Sequence, residues 1–183
     1  MGGVGAGGEH WVFGYGSLMW RPGFPFLDRS AAVLHGRRRA FCIYSVHHRG
    51  TYERPGLVLG LTHGGSVRGA AYRVAEADWN DVYAYLLERE QPTETYVERR
   101  VHVRLADDRH VEALTFLSDR SHVQWAGDLT LDAQAALISG ATGLSGRNID
   151  YLRDLVMHLR AEGCRDRSME QLLARFEALE AAA

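Results

Sequence analysis

The order of the elements along the chain is the feature that most restricts its fold. The first half alternates short β-branched and aromatic runs with Gly- and Pro-containing segments, whereas the second half carries apolar residues at helical spacing. Because strands and helices do not alternate, a doubly wound parallel sheet is disfavoured. This order predicts an α+β fold: a small mixed or antiparallel β-barrel with flanking helices.

The strands are predicted from alternating apolar residues and turn residues. One strand is expected over residues 10–15, where the chain then runs into Gly16-Ser17, and another within 32–46. The segments 57–62 and 67–74 flank the turn-like residues 63–66, and this pattern predicts a hairpin. A second hairpin is predicted from the segments 96–105 and 111–117.

Four helices are predicted, and three of them close the chain. The first lies within Glu76–Glu90 and is limited by Pro92, because the residue before proline avoids helical angles. The other three are predicted with their caps: Thr130 before 131–139, Asn148 before 149–161, and a Ser168/Gln171 capping box before 172–179.

The domain organisation is predicted to be simple. The chain has 183 residues, 46% of them hydrophobic, which suffices for one compact core. With no internal repeat or linker in the sequence, a single domain is expected over residues 10–183. Residues 1–9 are expected to form a flexible Gly-rich leader, since they lack the basic start and apolar core of a signal peptide.

Composition excludes several function classes. All 21 basic residues are arginine, so no Schiff-base lysine, lysine general base or P-loop lysine is available. The net charge of −2 argues against a nucleic-acid partner, and no apolar run approaches the ~20 residues of a membrane span. Cys42 and Cys164 lie far apart, which favours buried thiols in a reducing cytoplasm.

The first candidate for chemistry is the segment FGYGSLMW, residues 13–20. Its G-x-G pattern follows a predicted strand, but the third glycine of a dinucleotide site is missing and Pro22 follows almost at once. A glycine loop lets its N–H groups approach a carboxylate or a developing oxyanion closely. Ser17 is not in a G-x-S-x-G elbow, so a serine hydrolase is not predicted. A plain tight turn is the alternative.

The second candidate is a group of glutamates near the end of the first predicted helix, namely Glu88, Glu90, Glu94 and Glu98. Most glutamates are solvated surface acids, and that interpretation stays open for this group. Helical spacing from Leu86 and Leu87 places Glu90 on the core side and Glu88 nearer the opposite side. Glu90 is therefore the preferred candidate for a general acid/base.

The loop around residues 45–56 contains candidate metal and anion ligands. His47 and His48 are adjacent and point apart in an extended chain, so no metal site is predicted. Arg49 in the following loop is a candidate anion contact. The run Arg37–Arg39 is interpreted as a solvated strand edge.

Taken together, several segments resemble the ChaC family of γ-glutamylcyclotransferases. Residues 12–20, VFGYGSLMW, are similar to the family signature V-F-G-Y-G-S-L, and GAAYR at 69–73 is similar to its G-V-A-Y-R strand. The remaining matches are Arg39–Phe41, HRGT at 48–51, Pro55-Gly56, Arg89-Glu90 with Tyr96, and GLSGRNIDYL at 143–152. They occur in order over His10–Ala161, almost the whole chain.

The resemblance implies a fold, a reaction and a set of residues. Family members are small β-barrels with helices that cleave γ-glutamyl peptides, chiefly glutathione, into 5-oxoproline and the released amine without a cofactor. The catalytic glutamate of the family falls on Glu90. Its γ-glutamyl-binding loop falls on Val12, Phe13, Gly14, Tyr15, Gly16, Ser17 and Leu18, and Arg49, Tyr96 and Trp125 are further candidate substrate contacts.

Such a reaction fits a chain without lysine. The substrate's own α-amine attacks its γ-carbonyl, so no nucleophile of the protein is needed and one carboxylate suffices. The chain departs from the family pattern at Gln91, His47 and Trp125, which bears on substrate choice. Two alternatives remain open: a cyclotransferase for other γ-glutamyl amino acids or amines, and a non-catalytic cation-transport regulator. Oligomeric state is left open as well.

Overall fold

The computed structural model describes residues 9–90 and 95–182. The long strands of this part are β1 (His10–Gly14), β2 (Asp28–Ser45), β3 (Gly56–Val74), β4 (Tyr96–Leu105) and β5 (His110–Ser118). The α-helices are α1 (Trp79–Glu90), α2 (Leu131–Gly140), α3 (Asn148–Ala161) and α4 (Arg167–Ala181). Short 3-10 helices cover Ser17–Met19 and Glu76–Asp78, and β6 (Thr142–Gly143) pairs with β7 (Gly146–Arg147).

The long strands close into a barrel in the order β1-β3-β2-β4-β5. β1 runs antiparallel to β3, with Gly14 opposite Ala70, and it closes the barrel by a parallel pairing of Val12 with Leu114 of β5. β2 pairs with β4 in antiparallel register, with Ala32 opposite Leu105. The α+β prediction, with a small mixed barrel and flanking helices, is confirmed.

The chain separates into two compact units. Unit one consists of Met1–Leu34 and Arg68–Phe116, and unit two of His35–Val67 and Leu117–Ala183. The single domain expected over residues 10–183 stays a prediction. Residues 1–8 of the expected leader lie outside the described residues.

The core of unit one forms around β1. Trp11, Val12 and Phe13 are each at most 2% exposed, so this strand is buried on both faces. From α1, Val82 and Leu86 are buried, one helical turn apart. This apolar stripe fixes the rotation of α1 about its axis, and it leads to Glu90 one further turn along the same face.

The predicted hairpin at residues 63–66 is wrong, because residues 56–74 form one continuous strand. Gly64 and Gly65 have φ angles of 90° and 71° within this strand, so they bend it without ending it. Side chains of β2 and β3 still meet beside the bend: His35 Nδ1 lies 2.8 Å from Ser66 Oγ. By contrast, the hairpin of β4 and β5 is confirmed, with Asp108 at φ 67° in its turn.

The helix caps in unit two agree only partly with the sequence analysis. The predicted cap Thr130 is confirmed, since its Oγ1 accepts a hydrogen bond from the Ala133 N–H at 3.2 Å. The predicted cap Asn148 is wrong, because the side chain is fully buried and bonds the backbone of Leu57. The capping box is also wrong: Asp166 caps α4 by accepting from the N–H groups of Ser168 and Met169.

The arginine run of β2 is only partly a solvated edge. Arg38 is exposed, but Arg39 is 1% exposed and its guanidinium lies 2.9 Å from the carboxylate of Asp166. Because successive side chains of a strand point to opposite faces, neighbouring arginines meet different environments. The solvated-edge interpretation is therefore wrong for Arg39, which forms a buried ion pair.

Candidate active site

The glycine segment leaves β1 through a tight turn in unit one. A Cβ atom on Gly14 would lie 2.7 Å from the Cβ of Leu18, closer than carbon atoms approach each other, so the position requires glycine. The chain then forms a 3-10 turn in which Met19 N–H donates to Gly16 O at 2.9 Å and Arg21 N–H donates to Ser17 O at 2.8 Å. The loop that results is compact and begins at the end of a buried strand.

Side chains of unit one hold the carbonyl groups of this loop. The Tyr72 hydroxyl lies 2.8 Å from the carbonyl oxygens of both Leu18 and Met19. The Arg29 guanidinium donates to Met19 O at 3.2 Å and to the Tyr72 hydroxyl at 3.3 Å. In the described part of the chain, neither the Ser17 nor the Leu18 N–H donates a hydrogen bond. Within the described residues, these two N–H groups are therefore unpaired donors in the loop.

The strand that precedes the loop is fixed to β5. The Tyr15 hydroxyl donates to the carbonyl of Phe116 at 2.7 Å, and Thr115 Oγ1 donates to the carbonyl of Phe13 at 2.9 Å. The side chains of Val12 and Phe13 belong to the core, at 0% and 1% exposure. Of the predicted binding segment, the early residues thus support the loop, and Ser17 is the exposed one.

Glu90 ends α1 with its side chain 22% exposed. Burial raises the pKa of its carboxyl, and the charge of Arg89 offsets part of that effect. A half-buried carboxyl with a raised pKa is suited to exchange protons near neutral pH. Glu88, two positions earlier, is exposed, in agreement with the helical spacing.

Arg89 brings the helix end and the glycine loop together. Its Nη2 donates to Ser17 Oγ at 2.9 Å, and its Nη1 donates to the carbonyl of Arg21 at 2.6 Å. Its Nε lies 3.4 Å from Oε1 of Glu90. One guanidinium therefore contacts both the glycine loop and the candidate catalytic carboxylate.

The other predicted substrate contacts have separate surroundings. Tyr96 is half-buried and begins β4 in unit one. Arg49 and Trp125 belong to unit two, where the Arg49 guanidinium lies over the ring of Tyr151 and Trp125 bridges to Ile43. Their part in substrate binding stays a prediction.

Two positions that depart from the family pattern are His47 and Gln91. The His47 ring packs edge-on against Tyr52 at 5.4 Å in unit two. Gln91 lies outside the described residues. The influence of both positions on substrate choice stays a prediction.

Sequence reasoning missed three residues that hold the loop: Tyr72, Arg29 and Arg89. Two of them lie in segments that resemble the family: Tyr72 is in the GAAYR segment, and Arg89 precedes Glu90 in the family motif. No local pattern marks Arg29, because its role depends on residues that are distant in the sequence.

Residues 9–90 and 95–182 show neither a metal-binding cluster nor a membrane-spanning helix. No group of three or more His, Cys, Asp and Glu side chains there is arranged to hold a metal ion. In the same residues, no helix combines the length and apolar character that a membrane crossing requires.

The chain is similar in sequence to a known protein family and to enzymes of known activity. The model of the ChaC-like protein family matches residues 10–179. The chain is 36% identical over 172 residues to the glutathione-specific γ-glutamylcyclotransferase of Escherichia coli (strain K12), which covers 94% of this chain and 74% of that protein. It is 33% identical over 146 residues to glutathione-specific γ-glutamylcyclotransferase 1 of Homo sapiens, over 78% of this chain and 66% of that protein.

Solved structures share the fold. A crystal structure of a yeast γ-glutamyl cyclotransferase specific to glutathione matches with a TM-score of 0.82 and 23% identity, covering 94% of this chain and 97% of that one. At this level of identity the likeness concerns the barrel and its helices.

Proposed function

The chain belongs to the ChaC-like protein family, and we propose that it is a γ-glutamylcyclotransferase that cleaves glutathione. The observation that carries the proposal is the juxtaposition of Glu90 with the glycine loop through Arg89. The 36% identity to the E. coli enzyme, over nearly the whole chain, supports glutathione as the substrate.

The reaction is an intramolecular substitution. The α-amine nitrogen of the γ-glutamyl group attacks its γ-carbonyl carbon and closes a five-membered lactam. The amide bond to the cysteine nitrogen then breaks, which yields 5-oxoproline and Cys-Gly. Since the nucleophile belongs to the substrate, the protein's task is to hold the reactive conformer. The reaction uses no cofactor.

Glu90 is proposed as the general acid/base. It accepts a proton from the α-ammonium group of the substrate and later returns one to the leaving amine. The raised pKa of its carboxyl supports both steps, because a stronger base accepts the proton and its conjugate acid can still release it.

The loop is proposed to bind the γ-glutamyl group. The N–H groups of Ser17 and Leu18 are suited to an anionic acceptor, which is either the substrate carboxylate or the developing oxyanion. Tyr72 and Arg29 fix the loop carbonyls, so these donors are oriented before substrate arrives.

A cytoplasmic location is part of the proposal. Cys42 and Cys164 are both buried as thiols, which fits a reducing compartment. Burial raises the pKa of Cys42 to about 12, so this thiol is unreactive and serves as a core residue.

A substrate panel tests the proposal. Purified protein is incubated with glutathione, with γ-glutamyl amino acids and with γ-glutamyl amines, and 5-oxoproline is quantified. We expect the highest kcat/KM with glutathione. A higher value with another γ-glutamyl compound would reassign the substrate, and no 5-oxoproline from any of them would contradict the enzyme function.

A further inference from the structure

We infer that Arg89 is a positioning residue that fixes the Glu90 carboxylate relative to the glycine loop. The inference rests on the proposed function, because it assigns a task to a residue of that same site. It follows from contacts within unit one, where one guanidinium reaches the loop, the helix and the carboxylate.

The N–H groups of Arg89 bind the loop and helix α1 on one side and lie beside the Glu90 carboxylate on the other. Nη1 donates to the carbonyls of Arg21 and Pro22, at 2.6 and 3.0 Å, and to the hydroxyl of Tyr85 at 2.8 Å. Nη2 donates to Ser17 Oγ. Nε lies 3.4 Å from Oε1 of Glu90, within ion-pair distance. Because the guanidinium is planar, its donors keep fixed relative directions, so one group links the loop to the side chain beside the carboxylate.

A lysine cannot replace this arrangement. Its ammonium is a single point charge on a flexible stem, and it cannot reach the loop carbonyls, Ser17 and Glu90 at once. The charge and the positioning are therefore separable by experiment, since Arg89→Lys keeps the first and loses the second.

The charged groups near Glu90 show that Arg89 acts on the pKa of its carboxyl. Among the described residues, Arg89 is the charged group that acts on the carboxyl of Glu90. Glu98 accepts a hydrogen bond from Tyr83 at 2.6 Å, and Glu88 is exposed on another face of α1. Removing the positive charge of Arg89 leaves the effect of burial unopposed.

A structural clamp is the competing interpretation of Arg89. A clamp that only fastens α1 to the loop would alter stability and substrate affinity, but Arg89→Lys, which keeps the charge, would leave kcat unchanged. A positioning residue changes both the titration of Glu90 and kcat, because it acts on the carboxylate that moves the proton.

The chain offers a matched control in Arg29. This arginine also donates to a loop carbonyl, that of Met19, and to the hydroxyl of Tyr72. Arg29→Gln thus removes a guanidinium from the same loop without removing a contact of Glu90.

The experiment compares wild type with Arg89→Gln, Arg89→Lys and Arg29→Gln. Proteins labelled with ¹³C at the glutamate carboxyls are titrated by NMR, with the Glu90 signal assigned by its loss in Glu90→Gln. We expect Glu90 to titrate at a higher pH in Arg89→Gln than in wild type, and at an unchanged pH in Arg29→Gln. Turnover of glutathione is measured in parallel, and kcat of Arg89→Lys is expected to fall by about 10²-fold.

The readouts separate failure of the inference from failure of the function. If wild type forms no 5-oxoproline, the proposed function fails, and the NMR titration still decides the link between Arg89 and Glu90. An unchanged Glu90 titration in Arg89→Gln overturns the inference. If Arg89→Gln does not fold, Arg89→Lys decides: a wild-type kcat overturns the inference, and a loss of kcat in a folded protein supports it.

Discussion

Ser17 and Arg89, 72 positions apart in the sequence, are joined by a hydrogen bond of 2.9 Å from the guanidinium to the hydroxyl. This bond places the last turn of α1 against the loop that follows β1. Glu90 is the next residue in the helix, so the candidate acid/base and the candidate binding loop share one anchor. The predictions for the site depend on this relationship.

Replacement of Glu90 by glutamine is expected to remove most of the activity. The amide keeps the shape of the side chain but cannot accept the substrate's proton, so kcat should fall by about 10²- to 10⁴-fold. The assay is 5-oxoproline release from glutathione, with circular dichroism to confirm folding. Glu88→Gln is the matched control, because Glu88 is exposed in the same helix turn. Equal losses in both variants would count against Glu90.

The activity is expected to decrease at acidic pH, and the decrease should begin at a higher pH than for an enzyme whose catalytic glutamate has an ordinary pKa. Burial raises the pKa of Glu90, and only the ionised form can accept a proton from the substrate ammonium. As pH drops through this pKa the base is lost and kcat/KM decreases. A profile of kcat/KM against pH measures it. An acidic limb at or below the pKa of a free glutamate would contradict this assignment.

The ionised Glu90 carboxyl is expected to lower the free energy of unfolding at neutral pH. Since the pKa of Glu90 is higher in the folded than in the unfolded chain, ionisation at neutral pH disfavours folding. Glu90→Gln should therefore have a higher Tm than wild type at neutral pH, and the difference should vanish below the pKa of the unfolded carboxyl. Thermal unfolding at the two pH values tests this, with Glu88→Gln as control. A lower Tm of Glu90→Gln at neutral pH would refute it.

Gly14→Ala is expected to damage the loop. The added Cβ would meet Leu18 Cβ at 2.7 Å, and relieving that overlap costs about 1–3 kcal/mol and displaces the loop N–H groups. Both stability and kcat/KM should fall. Gly36→Ala is the comparison: its Cβ would meet no atom within 4 Å, but its φ is +77°. That variant should lose stability while kcat/KM is retained, and wild-type kcat/KM in Gly14→Ala would exclude this role of the loop.

Asn148→Ala is expected to destabilise unit two. The Asn148 side chain accepts from the N–H of Leu57 and donates to its C=O, both at 2.7 Å, and it is fully buried. Its loss leaves two buried backbone groups unpaired, at about 1–3 kcal/mol each. Urea unfolding should show a lower midpoint at unchanged slope. The exposed Asn80→Ala should change the midpoint little, and equal effects would argue against the buried pairing.

Local patterns were sufficient for much of the fold. Alternating residues predicted most of the strand positions, and residue type predicted the β4–β5 turn and the Thr130 cap, since these features depend on neighbouring residues. Local patterns misled where a residue has a distant partner. Gly64 and Gly65 suggest a turn, yet pairing of β2 with β3 keeps the strand continuous, and Asn148 is used by Leu57 and not by its own helix.

For the candidate site as well, some features could be predicted from local sequence and others required the structure. The spacing from Leu86 placed Glu90 on the inner side of α1, and the helix has that orientation. The sequence could not show that Arg89 reaches Ser17, or that Tyr72 and Arg29 hold the loop carbonyls. Those contacts join residues far apart in the chain, and their geometry depends on how β1 and β3 pair.

The sequence by itself determined the fold class, the family motifs and the identity of the candidate carboxylate, because each is written in short-range spacing or in residue type. The tertiary structure alone decided which partners each arginine has. The three consecutive arginines of β2 look alike in sequence, but Arg39 is buried against Asp166. In α1, Arg89 contacts both the glycine loop and the carboxylate of Glu90. A charged side chain takes its role from its partners and its exposure to water, and only the folded chain sets both.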